Sequence, residues 1–405
     1  MHKLLSFIIA LFAAISLHAE TIYGDCGANM SWEFNTGSGA LFLIGEGPMD
    51  DYSSDKPAPW AEYKSQITSI QYDSRSKFTT IGSHAFKDCT ALKSVDLPNT
   101  VKEIHTSAFS RCISLTKIQL PSGLQTINGG AFSDNYKLAS VTLPKGLGRI
   151  CERAFWNCSA LTSVTIPYSV VHIEQGAFAK CENLQTINVD PNNEGYCSLN
   201  GALMSKHLEI LYAVPGASEG LYTIPSTITH IYKYAFAYCT KLKKIVFPAS
   251  VKCIYESAFE GCMMQSMELN EGVISIEEAA FANCSEMTSL TLPSTLQEIK
   301  NDAFAICNKL TSITCKATTP PTCKEYTFSY FDCSACKLYV PENAIDAYKQ
   351  ATGWKEFGEN ILAIGEGIEE VKANPELNGR KVIYNGQVYI LQEGKSYTLT
   401  GTEIK

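Results

Sequence analysis

The sequence predicts a β-rich solenoid of about ten 23-residue turns with a parallel sheet, capped at both ends and followed by a small C-terminal β module. Three observations predict it. The pair Ala-Phe recurs with its aromatic at Phe86, Phe109, Phe132, Phe155, Phe178, Phe236, Phe259, Phe281 and Phe304, mostly 23 residues apart. A wider phrase travels with it, I-x-x-x-A-F-x-x-C-x-x-L-x-x-[VI]-x-[LI]-P-x-x-[VL]-x-x-I. A unit this short cannot bury its own apolar face, so neighbouring units must share a core, which is the logic of a stacked repeat.

The elements follow in order. Residues 1–19 combine Lys3, an apolar run from Leu4 to Leu17 and Ala19 before Glu20. That is the pattern of an export signal cut after Ala19, and the run is too short for a comfortable membrane span. No later segment is apolar enough to cross a bilayer. Residues 20–66 form an N-terminal β cap and residues 67–315 the solenoid. Within each turn, a segment such as Leu161 to Pro167 alternates with period two, so Val164 and Ile166 point inward and Thr165 outward. Pro167 then ends the strand, because it brings no donor to the ladder. The Ala-Phe piece is expected as a short helical turn on the opposite side. The step from Phe178 to Phe236 is 58 residues, which marks an enlarged turn at 190–230. Residues 316–365 form a C-terminal cap. Residues 366–405 are a linker and a small three-stranded β-meander, with Asn385-Gly386 and Glu393-Gly394 at its turns.

These units resemble the BspA-like leucine-rich repeats of bacterial surface proteins. The enlarged segment from Asn192 is similar to that family's hairpin-bearing repeat, and the stretches from Gly39 and Ala317 resemble its two caps. The resemblance covers roughly residues 20–365. It implies a leucine-rich-repeat-like fold and an exported protein, at the cell surface or outer membrane or secreted, that takes part in adhesion.

Sixteen cysteines in an exported chain raise the question of disulfides. Half of them answer it by position. Cys89, Cys112, Cys158, Cys181, Cys239, Cys262, Cys284 and Cys307 each stand three after a repeat Phe. They form a structural column of buried thiols, each a small apolar filler and weak donor. Asn135 replaces Cys in one turn, and an amide can make a polar contact but no disulfide. Cys315, Cys323, Cys333 and Cys336 form a separate group, open between a cap disulfide, free thiols and a metal. The spacing lacks the paired pattern of a zinc ribbon.

The composition limits function. With 45% hydrophobic and 18% charged residues the chain is globular, and its net charge of −8 argues against nucleic acid. No H-E-x-x-H, G-x-S-x-G or phosphate-cradling loop is present. The histidines are scattered, and Asp50, Asp51 and Asp55 suit a solvated loop. The expectation is a non-enzymatic protein with no catalytic residues, no cofactor and no metal. The candidate binding face is the outward strand column Asp96, Gln119, Thr142, Thr165, Asn188, Glu268, Thr291 and Thr314, with Val246 in the same column. Its expected partner is an extracellular protein of a host matrix or another cell. A second candidate is aromatic: Tyr232 and Tyr255 hold equivalent places in their turns and suit a glycan. Each has a plainer account, since Ser and Thr favour exposed strands and rings pack against rings.

Overall fold

In the computed structural model each repeat contributes two strands rather than one. The structure describes residues 20–324 and 326–365, with the strand backbones at 370–371, 380–384, 387–392, 395–398 and 403–404. The expected export signal at 1–19 and the two tail turns lie outside the described residues. The longer strand of each repeat is the alternating segment, as in Ser163–Ile166. The shorter is a two-residue strand ending on the repeat Ile, such as Glu103–Ile104. Two residues are too few for alternation to betray a strand, so the second ladder was not visible in the sequence. Counting the longer strands gives about 13 turns rather than ten. The surplus comes from the two ends, where Ser69–Tyr72 ahead of the first Ala-Phe repeat, and Lys337–Val340 and Ile361–Ala363 in the C-terminal cap, continue the parallel pairing.

The chain divides into two units, residues 1–219 with 231–241, and residues 220–230 with 242–405. In the first, an antiparallel meander of Thr21–Gly27, Met30–Asn35 and Ala40–Gly47 forms the cap. Its third strand then pairs in parallel with Ser69–Tyr72, which turns the cap into the start of the repeat sheet. Asp51 clips the cap loop to the repeats. It accepts the Ser83 N–H at 2.6 Å and faces His105 Nδ1 at 2.8 Å. Partial burial pushes its pKa up, yet the Ser83 and His105 contacts prevail and lower it to about 2. Asp50 pairs with Lys56 at 3.1 Å. The enlarged turn holds a hairpin, Tyr196–Leu199 against Ala202–Ser205.

The core of this unit is a column of rings. Trp60, Phe86, Phe109, Phe132, Phe155 and Phe178 stack with neighbouring centroids 5.1 to 5.6 Å apart, within the range of favourable offset stacking. The second unit repeats the device with Phe259, Phe281, Phe304 and Phe328 at 5.1, 5.7 and 5.8 Å. Its cap closes with the helix Ile345–Gln350. There the buried Tyr348 hydroxyl donates to Ala317 O at 2.9 Å, and Trp354 Nε1 donates to Pro321 O at 2.8 Å. The tail is an antiparallel meander of five strands rather than three, and its first strand, Glu370–Val371, falls in the expected linker.

The Ala-Phe piece is not helical. Residues two before and two after the Phe have left-handed backbones: His84 and Asp88, Ser107 and Arg111, Arg153 and Asn157, with φ between 53° and 63°. Alternate N–H groups therefore leave the local turn and cross to the next repeat. Phe86 N bonds Ala108 O at 2.8 Å and Asp88 N bonds Ser110 O at 2.9 Å, while Ala85 and Lys87 close local turns. A left-handed conformation costs an L-residue about 1 kcal/mol, most for a β-branched one. Ile306 sits there at φ 60° with its side chain exposed. Ile306→Gly is expected to stabilise the protein by about 1 kcal/mol, read as a raised urea midpoint. A lowered midpoint would show that Ile306 carries no such strain.

Candidate binding surfaces

The outer strand face is built rung by rung. Parallel pairing sets Ser140 beside Lys117 and Thr142 beside Gln119, then Ser163 beside Thr186 and Thr165 beside Asn188. The alternate residues Ile118, Val141, Val164 and Ile187 face inward and are buried. Asp96, Gln119, Thr142, Thr165 and Asn188 are all exposed. Their side chains are polar and mostly short, with Lys117 and Asp96 as opposite charges. The first unit thus presents a shallow, hydroxyl- and amide-rich surface.

The second unit departs from the expected column. Glu268 and Val246 are exposed, Thr291 is half-buried, and Thr314 is buried at 7% exposure. Thr314 therefore does not belong to an open face. It pairs with Thr291 on one side and Tyr339 of the cap on the other. Lys316 also reaches Glu268 two strands away, at 3.6 Å, so its stem crosses the threonine rung. Neither cover was legible from the repeat, because both come from residues outside the column. An apolar spot opens on a separate two-stranded sheet of this unit, where Leu221 is 62% exposed beside Lys244.

The aromatic candidates are engaged. Tyr232 is half-buried with its ring 4.9 Å from that of Tyr212, which in turn meets Tyr196 edge-on at 5.3 Å. Tyr255 is half-buried and stacks on His230 at 5.9 Å. A different aromatic group lies on the flank of the first unit. Trp156 meets Tyr234 and Tyr238 edge-on, and the Arg153 guanidinium lies 5.3 Å from Trp156 and 5.0 Å from Tyr234. The repeat pattern did not signal it, since Trp156 follows Phe155 while Tyr234 and Tyr238 flank Phe236, in repeats far apart in the sequence.

The cysteine column has one geometry. Cys112, Cys158 and Cys181 donate Sγ–H to Phe86, Phe132 and Phe155 carbonyls at 3.1 to 3.2 Å. Cys284 and Cys307 do the same to Phe259 and Phe281, each at 3.2 Å. Asn135 makes the equivalent bond through Nδ2 to Phe109 O at 2.9 Å. Cys239 lies farther, 3.8 Å from Val214 O, where the enlarged turn interrupts the column. Cys89 and Cys262 are buried as well. Burial raises Cys112 and Cys158 well above the ordinary thiol range and lifts Cys89 and Cys181 to about 12, which keeps these thiols protonated. Beside the C-terminal cap, Cys315 Sγ lies 3.1 Å from the Tyr348 hydroxyl, which it shares with Ala317 O. Burial lifts Cys323, Cys333 and Cys336 to about 12. Among the described residues no group of His, Cys, Asp and Glu is arranged to hold a metal ion. No described helix is long and apolar enough to cross a membrane.

Comparison with known proteins places this geometry. A leucine-rich repeat protein from Eubacterium ventriosum superposes with a TM-score of 0.67, at 23% identity, over 91% of this chain and 100% of that one. A leucine rich cell surface protein from Faecalibacterium prausnitzii does so with a TM-score of 0.62, at 25% identity, over 82% and 98%. The pneumococcal vaccine antigen PcpA gives 0.56 at 19% identity over 85% and 99%. These likenesses show the fold. No curated protein sequence matches the chain. The model of the BspA type leucine rich repeat region matches six copies over residues 62–196 and 221–337. With most of its length matched repeat by repeat, the chain belongs to the BspA type leucine rich repeat family.

Proposed function

We propose that this protein is an exported, non-enzymatic recognition protein that binds a protein of a host or neighbouring cell through its outer strand face. The observation that carries the reading is the series of exposed polar side chains on successive repeats from Asp96 to Asn188, with Gln119 paired beside Thr142 and Thr165 beside Asn188. A stacked sheet holds such side chains at strand spacing, roughly 4.8 Å apart, so a partner meets a preordered surface. The similarity to a protein described as a cell surface protein supports exposure outside the cell, as does the signal-like N-terminus. Adhesion follows from the family and from the size of this surface, since solenoids bind partners along extended faces.

The test begins with purified residues 20–405 screened against matrix proteins, mucins and whole cells. The combined change Gln119→Glu, Thr142→Arg and Thr165→Glu then alters the face without touching the core. Each position is exposed, so stability should stay within about 0.5 kcal/mol per site. Binding is expected to fall by at least about tenfold, because central interface positions carry most of the energy. Attachment unchanged by the triple substitution would move the interaction away from this face.

A further inference from the structure

The Phe stack of the second unit ends at Phe328, where the cap sets Trp354 and Phe357 edge-on against the ring. A cleft of about 360 Å³ remains, lined by Phe328, Phe331, Asp332, Cys333, Gly353 and Glu356 together with two serines. Its size falls within the range of sites that hold one small group. Gly353 is required on its wall: at φ 79° a side chain would be strained, and its Cβ would meet Cys323 Cβ at 2.8 Å. Phe331 is half-buried and offers ring surface.

The polar groups are of one sign. No lysine or arginine lines the cleft. Asp332 turns one oxygen to the Ser334 N–H and hydroxyl, at 3.0 and 2.6 Å, the Ala335 N–H also bears on its carboxylate, and no cation pairs with it among the described residues. The Glu356 carboxylate is exposed and likewise unpaired among them. Both carboxylates bear on the same thiol. Burial raises Cys333 first, and Glu356 and Asp332 raise it further.

The backbone is also open in the segment that begins at Phe328. In the internal turns, the Phe N–H and the N–H two residues later donate to the next repeat, as at Phe109 and Arg111. No repeat of that kind follows Phe328. The N–H groups of Phe328 and Tyr330 find no acceptor among the described residues, and the ladder already loosens at Phe304 and Ile306. An occupant that suits all of this carries carbonyl oxygens for the open N–H groups and a cation for the carboxylates. A planar guanidinium meets the second need best, because it stacks on a ring and pairs with a carboxylate through two bonds.

We propose that this cleft receives an arginine side chain from an extended segment of a partner polypeptide, whose backbone carbonyls pair with the open edge of the last turn. The site is separate from the strand face, so it stands or falls independently of the reading above.

The test titrates N-acetyl-arginine-N-methylamide into purified residues 20–405 and follows amide chemical shifts by NMR. The lysine and citrulline equivalents serve as comparisons. Saturable binding is expected with a Kd on the order of 1 mM, weaker for lysine and at least about tenfold weaker for neutral citrulline. Glu356→Gln should weaken binding by about five- to tenfold and leave the unfolding midpoint unchanged, since its carboxylate holds nothing in place. Asp332→Asn keeps the oxygen that accepts from Ser334 and should weaken binding similarly. The proposal is overturned by no saturation, by citrulline binding as well as arginine, or by full binding in Glu356→Gln.

Discussion

Phe132→Ala should cost the first unit about 3–5 kcal/mol, the range for emptying a buried aromatic site. Phe132 is fully buried, with its ring 5.5 Å from Phe109 and 5.3 Å from Phe155 in nearly parallel planes. Truncation removes both stacking contacts and leaves a hole that cannot easily collapse. The backbones on either side are tied by bonds such as Phe109 N to Ala131 O and Phe132 N to Ala154 O, each 2.8 Å. A stacked repeat transmits such damage to its immediate neighbours, because each turn leans on the next. Urea unfolding should show a large fall in midpoint, and Phe132→Leu should recover a good part of it. A loss under about 1 kcal/mol for the alanine variant would mean that the stack contributes little beyond filling space.

Asn135→Asp is expected to be nearly as severe at neutral pH and mild in acid. Asn135 is fully buried, and its Nδ2 donates to two carbonyls, Phe109 O at 2.9 Å and Phe132 O at 2.8 Å. A carboxylate there would aim negative charge at two carbonyl oxygens with no cation nearby. Breaking a buried polar arrangement in this way costs about 3–5 kcal/mol. Burial would raise the aspartate's folded pKa above its unfolded value, which is about 3.9. The variant's stability is therefore retained below the unfolded pKa and is lost as pH rises through it towards the folded one. Asn135→Cys is the control. A thiol restores the donor found in the neighbouring turns and removes Asn135 Oδ1, which is buried without a partner. It should stay within about 1 kcal/mol of the natural protein. Unfolding measured between pH 3 and 7 checks both. A pH-independent Asn135→Asp, or a strongly unstable Asn135→Cys, would contradict the thiol–carbonyl account of this column.

These two experiments probe what was legible in the sequence. Phe132 and Asn135 occupy positions fixed by a repeating interval, and repetition reveals a shared core even when no single unit is informative. The inward and outward strand residues follow from alternation in the same way. The left-handed positions could not be read. They hold His84, Asp88, Arg111, Lys180 and Ile306, residue types with no common signature, because cross-repeat hydrogen bonds impose the conformation rather than local preference. The burial of Thr314 and the cleft beside Phe328 were equally hidden. Both depend on how cap residues such as Lys316, Tyr339 and Gly353 meet the last repeats, and the caps obey no interval.

The thiol–carbonyl column has a consequence for how such a gene can change. Each interior turn brings one donor for the turn before it and one acceptor for the turn after it. Removing residues from one Phe to the residue before the next therefore leaves a new neighbour pair with the same complement. Removing half that length strands a buried carbonyl on one side and a thiol on the other. Recombination between repeats can lengthen or shorten the surface in whole steps, while a step that keeps its Phe and Cys, as the 22-residue step from Phe259 to Phe281 does, keeps the bond as well. Within the first unit, the surface offered to a partner is adjustable in extent without any retuning of the interior.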